Sequence, residues 1–213
     1  MRRTTALFAS LTLCLGAGAL LGAATAPAPA AIAAPAAKIG EAAPAFTLKD
    51  LSGKEHSLKD FKGKIVVLEW FSPRCPWSGS ASPRSVHSSG QVKELMTKMK
   101  AVDSDVVYLL IDSTANMPKE DLISTDKELK SKYDLKAPIL IDYDGKVGKA
   151  FGAKTTPHMF VIDKEGVLRY QGAFSDKGDK NYVLDAVVAI NEGKDPSPAT
   201  TRAWGCGVKY KRR

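Results

Sequence analysis

The sequence predicts an α/β fold, a mixed central sheet flanked by helices with an N-terminal strand extension, on three observations. Ile65–Phe71 is a near-continuous apolar run broken only by Glu69, as expected of a strand buried on both faces. Val106–Ile111 is a second run of this kind, and between the two lies a segment of helical period. Met159–Ile162 and Val167–Gln171 flank Asp163-Lys164-Glu165-Gly166, a hairpin turn, so the last strands must run antiparallel.

The elements follow in order. Ala45–Leu48 and Leu51–Leu58 suggest a small N-terminal strand pair ahead of the Ile65–Phe71 strand. Val92, Leu95, Met96 and Met99 recur at helical spacing, which predicts a helix over Gln91–Lys100. After the Val106–Ile111 strand, Lys119–Tyr133 is charged, with Leu122, Leu129 and Tyr133 on one side. Ile139–Ile141 is a short strand ahead of the hairpin. Val183, Ala186, Val187 and Ile190 mark a closing helix from about Lys180, stopped by Gly193. Helical crossovers between the first strands imply parallel pairing there.

The 213 residues divide into four stretches. In 1–26, Arg2 and Arg3 precede the apolar run Ala6–Leu21 and a small-residue end, the order of a secretory signal peptide. The apolar run is too short and too rich in Gly and Ala for a retained membrane anchor. Cleavage after Ala26 would leave Pro27 first, so the cut position stays open. Residues 27–37 form an Ala/Pro-rich tether with nothing to bury. Residues 38–195 carry the domain, and 196–213 form a tail carrying Cys206. Export to a periplasmic or extracellular compartment, without stable membrane insertion after cleavage, is the expectation. The formal charge is +8. It is spread along the chain without a recognised nucleic-acid module, so a solvated basic surface is expected and nucleic-acid binding is not.

With Cys14 inside the signal, the mature chain keeps Cys75 and Cys206. Cys75 follows the buried strand and is expected at a helix N-terminus, where backbone N–H groups and the helix dipole favour a reactive thiolate, aided by Arg74. Against this, Ser78–Gly90 holds six serines, two glycines and Pro83, poor helix material, so the helix is free to start late. Glu69, in the middle of an apolar strand, needs either a chemical role or a partner such as a lysine. Cys206 lies between Gly205 and Gly207, which suits a segment that swings or approaches closely. It is open whether Cys206 resolves an adduct on Cys75 or staples the fold permanently. Trp204 and Val208 are expected to dock the tail. His56, His87 and His158 are too scattered to form a zinc site with Cys75, and no metal or cofactor is expected.

Gly40–Leu48 followed by Gly63–Leu68 resembles the opening of redoxin domains, which include peroxiredoxins of the alkyl hydroperoxide reductase/thiol-specific antioxidant type. Trp70–Ser78 is similar to the thioredoxin active-site strand and turn, with Ser78 where a second cysteine would stand, and Lys154–Pro157 resembles the cis-proline loop. The best overall resemblance is to a peroxiredoxin-like branch with one active-site cysteine and a C-terminal Gly-Cys-x-Val-Lys-Tyr, here Gly205–Tyr210. It implies a thioredoxin-like fold and a catalytic set of Cys75, Cys206, Glu69 and Pro157. Pro76, Trp77, Thr156 and Ser72 are the implied substrate-binding residues.

Three functions remain in view. The first is thiol–disulfide exchange with a disulfide-bearing protein or small thiol, renewed by an external thiol reductant. The second is peroxide reduction: Ser72 stands where peroxiredoxins keep a Thr or Ser. However, Leu68 replaces their proline, and Pro157 their arginine. The third is an inactive binding module stapled by Cys75–Cys206.

Overall fold

In a computed structural model, residues 36–211 are described. The expected signal (1–26), most of the tether and Arg212–Arg213 lie outside the described residues. Ala37, at the end of the tether, donates its amide to the Ala150 carbonyl at 2.9 Å.

The chain begins with β1 (Thr47–Asp50), β2 (Glu55–Ser57) and β3 (Val66–Phe71), followed by α1 (Gln91–Val102), β4 (Val107–Asp112), α2 (Lys119–Lys132) and β5 (Ile139–Ile141). It continues with α3 (Lys146–Phe151), β6 (Thr155–Thr156), β7 (His158–Ile162), β8 (Leu168–Gly172), α4 (Tyr182–Asn191) and β9 (Cys206–Gly207). Seven strands form one sheet in the order β2-β1-β5-β4-β3-β7-β8. β3, β4 and β5 are parallel, joined by the α1 and α2 crossovers; β7 and β8 form the expected antiparallel hairpin. The sheet is therefore mixed, as the sequence predicts.

Both faces of β3 are buried, and alternation divides its side chains between two cores. Val67 and Phe71 pack with Val92, Leu95 and Met99 of α1 and Val183, Ala186 and Val187 of α4. Val66, Leu68 and Trp70 pack with Phe46, Phe151 and Phe160 on the other side. Each fully buried large apolar side chain contributes roughly 1.5–3 kcal/mol. Glu69 lies on the α1/α4 face of this strand and is completely buried.

Local chemistry sets the element ends. Asp163 Oδ1 accepts the amides of Glu165 and Val167, which closes the β7–β8 turn, and Gly166 adopts the left-handed conformation there. Asn181 caps α4 by accepting from the amides of Val183 and Leu184, a contact typically worth ~1 kcal/mol. One expectation fails: no helix starts at Cys75. Residues 73–90 form a series of turns, and α1 begins only at Gln91, after the left-handed Gly90. The serines, glycines and proline of this stretch hydrogen-bond locally and compete with helical backbone pairing. The short α3 and the β6–β9 pair are features that periodicity does not announce.

Candidate active site

The Cys75 turn hangs from the end of β3. Ser72 is its hub: its carbonyl accepts the amides of Cys75 (3.2 Å) and Gly79 (3.1 Å). The Cys75 carbonyl in turn accepts from Ser78 and Ser80. Cys75 is 3% exposed, and its Sγ donates to the Thr156 carbonyl at 3.0 Å. The Trp77 amide points at the same sulfur from 3.4 Å. With no helix terminus behind it, the sulfur has this single amide in place of a helix dipole. Arg74 is exposed at the turn.

Opposite the turn lies the Thr156–Pro157 peptide, which is cis. Thr156 belongs to β6, and β9 pairs with it antiparallel, Cys206 opposite Thr156 and Gly207 opposite Thr155. The tail thereby brings Cys206 to Cys75, and both cysteines are free. The Cys206 thiol is pushed up to about 11 by burial, then by its hydrogen bond to Cys75 and that group's charge, with Lys209 acting the other way. At neutral pH it therefore rests as a thiol. Gly205 makes this approach: its φ is +127°, and a Cβ there would stand 2.1 Å from the Thr156 carbonyl oxygen. Of the two uses proposed for the flanking glycines, close approach is what Gly205 serves, whereas a Cβ at Gly207 would meet only the Lys154 carbonyl oxygen at 3.9 Å.

Behind the turn, Glu69 has partners, none of them a lysine. Its carboxylate accepts from the Ser78 hydroxyl (3.2 Å) and from Tyr108 OH (2.6 Å). His87 Nε2 lies 3.0 and 3.1 Å from its two oxygens. These donors satisfy the buried carboxylate. The Tyr108 phenol is pushed well above its ordinary value by burial, then by the Glu69 charge, so it stays a donor. Ser78, in the place of a second cysteine, is thus absorbed into the Glu69 network, while its amide holds the Cys75 carbonyl. His87 is a site residue that sequence reasoning passed over. Its signal was weak, a lone histidine in a serine-rich stretch, 18 residues from its partner.

The other candidates divide. Pro76 and Trp77 are half-buried beside Cys75. Ser72 directs its backbone to the turn, but its hydroxyl accepts from Thr114 at 3.2 Å. His158 is a buried strand residue, pushed down to about 4 by burial and then Lys154, and its Nδ1 accepts the Lys154 amide. Next to Thr114, Asp112 at the end of β4 faces Asp126 of α2. Burial pushes both carboxyls up, and for Asp126 the Asp112 charge adds to the effect. Among the described residues Asp112 Oδ2 and both oxygens of Asp126 have no hydrogen-bond partner, which with burial favours the protonated form of the pair. Among the described residues no cluster of His, Cys, Asp and Glu could hold a metal ion, and no helix is long and apolar enough to cross a membrane.

Known proteins are similar to this chain in sequence and in fold. A thiol-disulfide oxidoreductase ResA from Bacillus thuringiensis subsp. konkukian is 35% identical over 129 residues, 61% of this chain and 66% of that protein. A chloroplastic peroxiredoxin Q from Oryza sativa subsp. japonica is 32% identical over 138 residues, 62% of this chain and 57% of that protein. The chain thus spans less than two thirds of the length of these relatives. In fold it is similar to the crystal structure of a hypothetical protein from Sinorhizobium meliloti, with a TM-score of 0.70 and 24% identity over 84% of this chain and 98% of that one. That likeness gives the thioredoxin-like architecture, and the family model gives the lineage. Running over residues 39–171, from before the N-terminal strand pair through the Cys75 turn and cis-proline loop to the closing hairpin, the match makes this chain a member of the AhpC/TSA family.

Proposed function

We propose that this protein is a thiol oxidoreductase that exchanges disulfides through Cys75 and completes each turnover with Cys206. The observation that carries the reading is the meeting of two free cysteines at Thr156 of the cis-proline loop, which pairs with Cys206 and whose carbonyl accepts from Cys75 Sγ. In the first step the Cys75 thiolate attacks a substrate disulfide, forming a mixed disulfide and expelling one substrate thiol. In the second, Cys206 gives up its proton and attacks the Cys75 sulfur, forming Cys75–Cys206 and releasing the second thiol. The substrate is reduced and the protein oxidised by two electrons, and an external dithiol returns both cysteines to thiols. Ser78 closes the usual internal route, which leaves Cys206 as the internal exit.

Glu69, held by His87, Tyr108 and Ser78, is read as the buried acid that manages protons behind the turn. Pro157 shapes the loop against Cys75. Pro76, Trp77 and Thr156 contact the substrate. The residues 1–26 support export, which would put this chemistry in a periplasmic or extracellular compartment, with 38–195 as the working domain.

Peroxide reduction is the second reading, favoured by the likeness to the rice protein named as a peroxiredoxin. There Cys75 would take one oxygen from ROOH to give Cys75–SOH and ROH, and Cys206 would displace water to form the same bridge. The Ser72 hydroxyl is engaged by Thr114, which gives this reading less support. Offering the reduced Cys206→Ser protein a small disulfide and hydrogen peroxide in competition, with adducts read by mass spectrometry, separates the two. A mixed disulfide on Cys75 is expected; a sulfenic acid forming faster would make the protein a peroxidase.

A further inference from the structure

The tail strand does more than deliver a thiol. Burial alternates along it: Trp204, Cys206, Val208 and Tyr210 are half-buried, while Gly205, Gly207 and Lys209 are exposed. Each half-buried side chain has a seat. Trp204 Nε1 donates to the Ser175 carbonyl at 2.7 Å, and its ring meets Trp77 edge-on, centroids 5.7 Å apart. The Lys177 ammonium sits over both rings, 4.4 Å from Trp77 and 5.1 Å from Trp204. Lys177 holds a left-handed backbone (φ +70°), costly for a residue with a side chain, and its amide is tied to Ser175 Oγ. Val208 packs on the Phe46–Trp70 core. Tyr210 donates to the Ala153 carbonyl and lies over Gly145 and Gly148, where a Cβ would come within 2.6 and 2.4 Å of it. The backbone between these seats pairs with β6, and the Val208 amide reaches the Lys154 carbonyl.

A groove that pairs with a strand and seats alternate side chains is the way sheet edges read extended peptides. The thiol steps use only the Cys206 seat; the Trp77–Lys177 and Gly145–Gly148 seats do no chemistry. We propose that residues 204–210 are a resident copy of the substrate, and that this groove takes extended polypeptides with an aromatic residue two positions before the reactive cysteine and a glycine between them. The glycine is required because any Cβ there meets the Thr156 carbonyl. The tail and the substrate strand compete for one groove, so substrate enters when the tail lifts. The inference rests on the thiol-exchange reading and names its substrate class.

The test uses the full chain as Trp204→Ala/Cys206→Ser, which loosens the tail and removes resolution. The probe is the peptide Ala-Trp-Gly-Cys-Gly-Val-Lys-Tyr with its cysteine capped as the thionitrobenzoate disulfide. Attack by Cys75 forms the protein–peptide disulfide and releases the coloured thionitrobenzoate anion. One ring contact and one cation–π contact together make the peptide react about tenfold faster, at limiting concentration, than its Trp→Ala counterpart. Adding Lys177→Ala to the protein should shrink that preference to about threefold or less. The same ranking, at lower rates, is expected in Cys206→Ser alone, whose tail is otherwise unaltered. Equal rates for the two peptides, or a preference untouched by Lys177→Ala, overturn the inference. If neither the peptides nor a small thionitrobenzoate disulfide releases the anion, the thiol-exchange reading itself is wrong.

Discussion

Joining Cys75 to Cys206 would close a loop of roughly 130 residues, and chain-entropy arguments put its stabilisation at about 5 kcal/mol. Because both cysteines already meet Thr156 and β9 is already paired with β6, the bridge requires little rearrangement, and most of that stabilisation should be realised. For a domain of this size each kcal/mol raises Tm by about 2–4 °C, so the oxidised protein should melt roughly 10–20 °C above the reduced one. Cys206→Ser tests whether this bridge belongs to the resting fold or to turnover. In the reduced protein it removes one half-buried thiol and its contact to another thiol, a loss of about 1 kcal/mol or less. Urea unfolding monitored by fluorescence, with and without a reductant such as tris(2-carboxyethyl)phosphine, gives all four values. Reduced parent and reduced variant should agree within about 1 kcal/mol, and only the parent should gain on oxidation. If the parent isolated without added oxidant already carries the bridge and stands about 2–5 kcal/mol above the variant, the cysteine is a structural staple and the resolver account is refuted.

Three other outcomes are expected. Glu69→Gln should keep the fold, since its site can still accept from Tyr108 and Ser78, but should slow turnover and change its pH profile; parent-like turnover at every pH would make the residue structural. Asp126→Asn should alter the pH dependence of stability: the carboxyl is pushed up in the folded state, so folding holds a proton that the unfolded chain releases above about pH 4, and stability falls as pH rises. That slope, at most about 1.4 kcal/mol per pH unit, should flatten in the variant and leave it the more stable protein at pH 8 in urea titrations; an unchanged slope contradicts the raised carboxyl. Gly205→Ala should push β9 off Thr156, so that Cys75 is alkylated several-fold faster and the bridge forms more slowly; parent rates would show that the close approach does not hold the tail.

Legibility in the sequence followed the reach of each interaction. The strands through Ile65–Phe71 and Val106–Ile111, α1, α4 and the Asp163–Gly166 turn follow from local pattern, because burial and capping act on neighbours in the chain. Cys75, Pro157 and Cys206 were identifiable by motif. Their meeting was not, because a two-residue strand such as β9 has no periodicity and depends on pairing with Thr155–Thr156, some fifty residues away. Asp126 sits on the same buried stripe of α2 as Leu122 and Leu129, where a carboxyl interrupts the apolar pattern and reads as surface. The helix expected at Cys75 failed for a reason visible in composition: the hydroxyls of Ser80, Ser82 and Ser85 take up backbone groups that a helix would need.

The central claim is that Cys75 attacks and Cys206 resolves. Its most direct test mixes the reduced, oxygen-free protein with one equivalent of cystamine, counting released thiols and mapping the linked peptides. The account predicts two cysteamine molecules released per chain and a Cys75–Cys206 linkage, with Cys206→Ser releasing one and keeping the other on Cys75. A stable adduct on Cys75 of the parent, or a first adduct on Cys206, would contradict it.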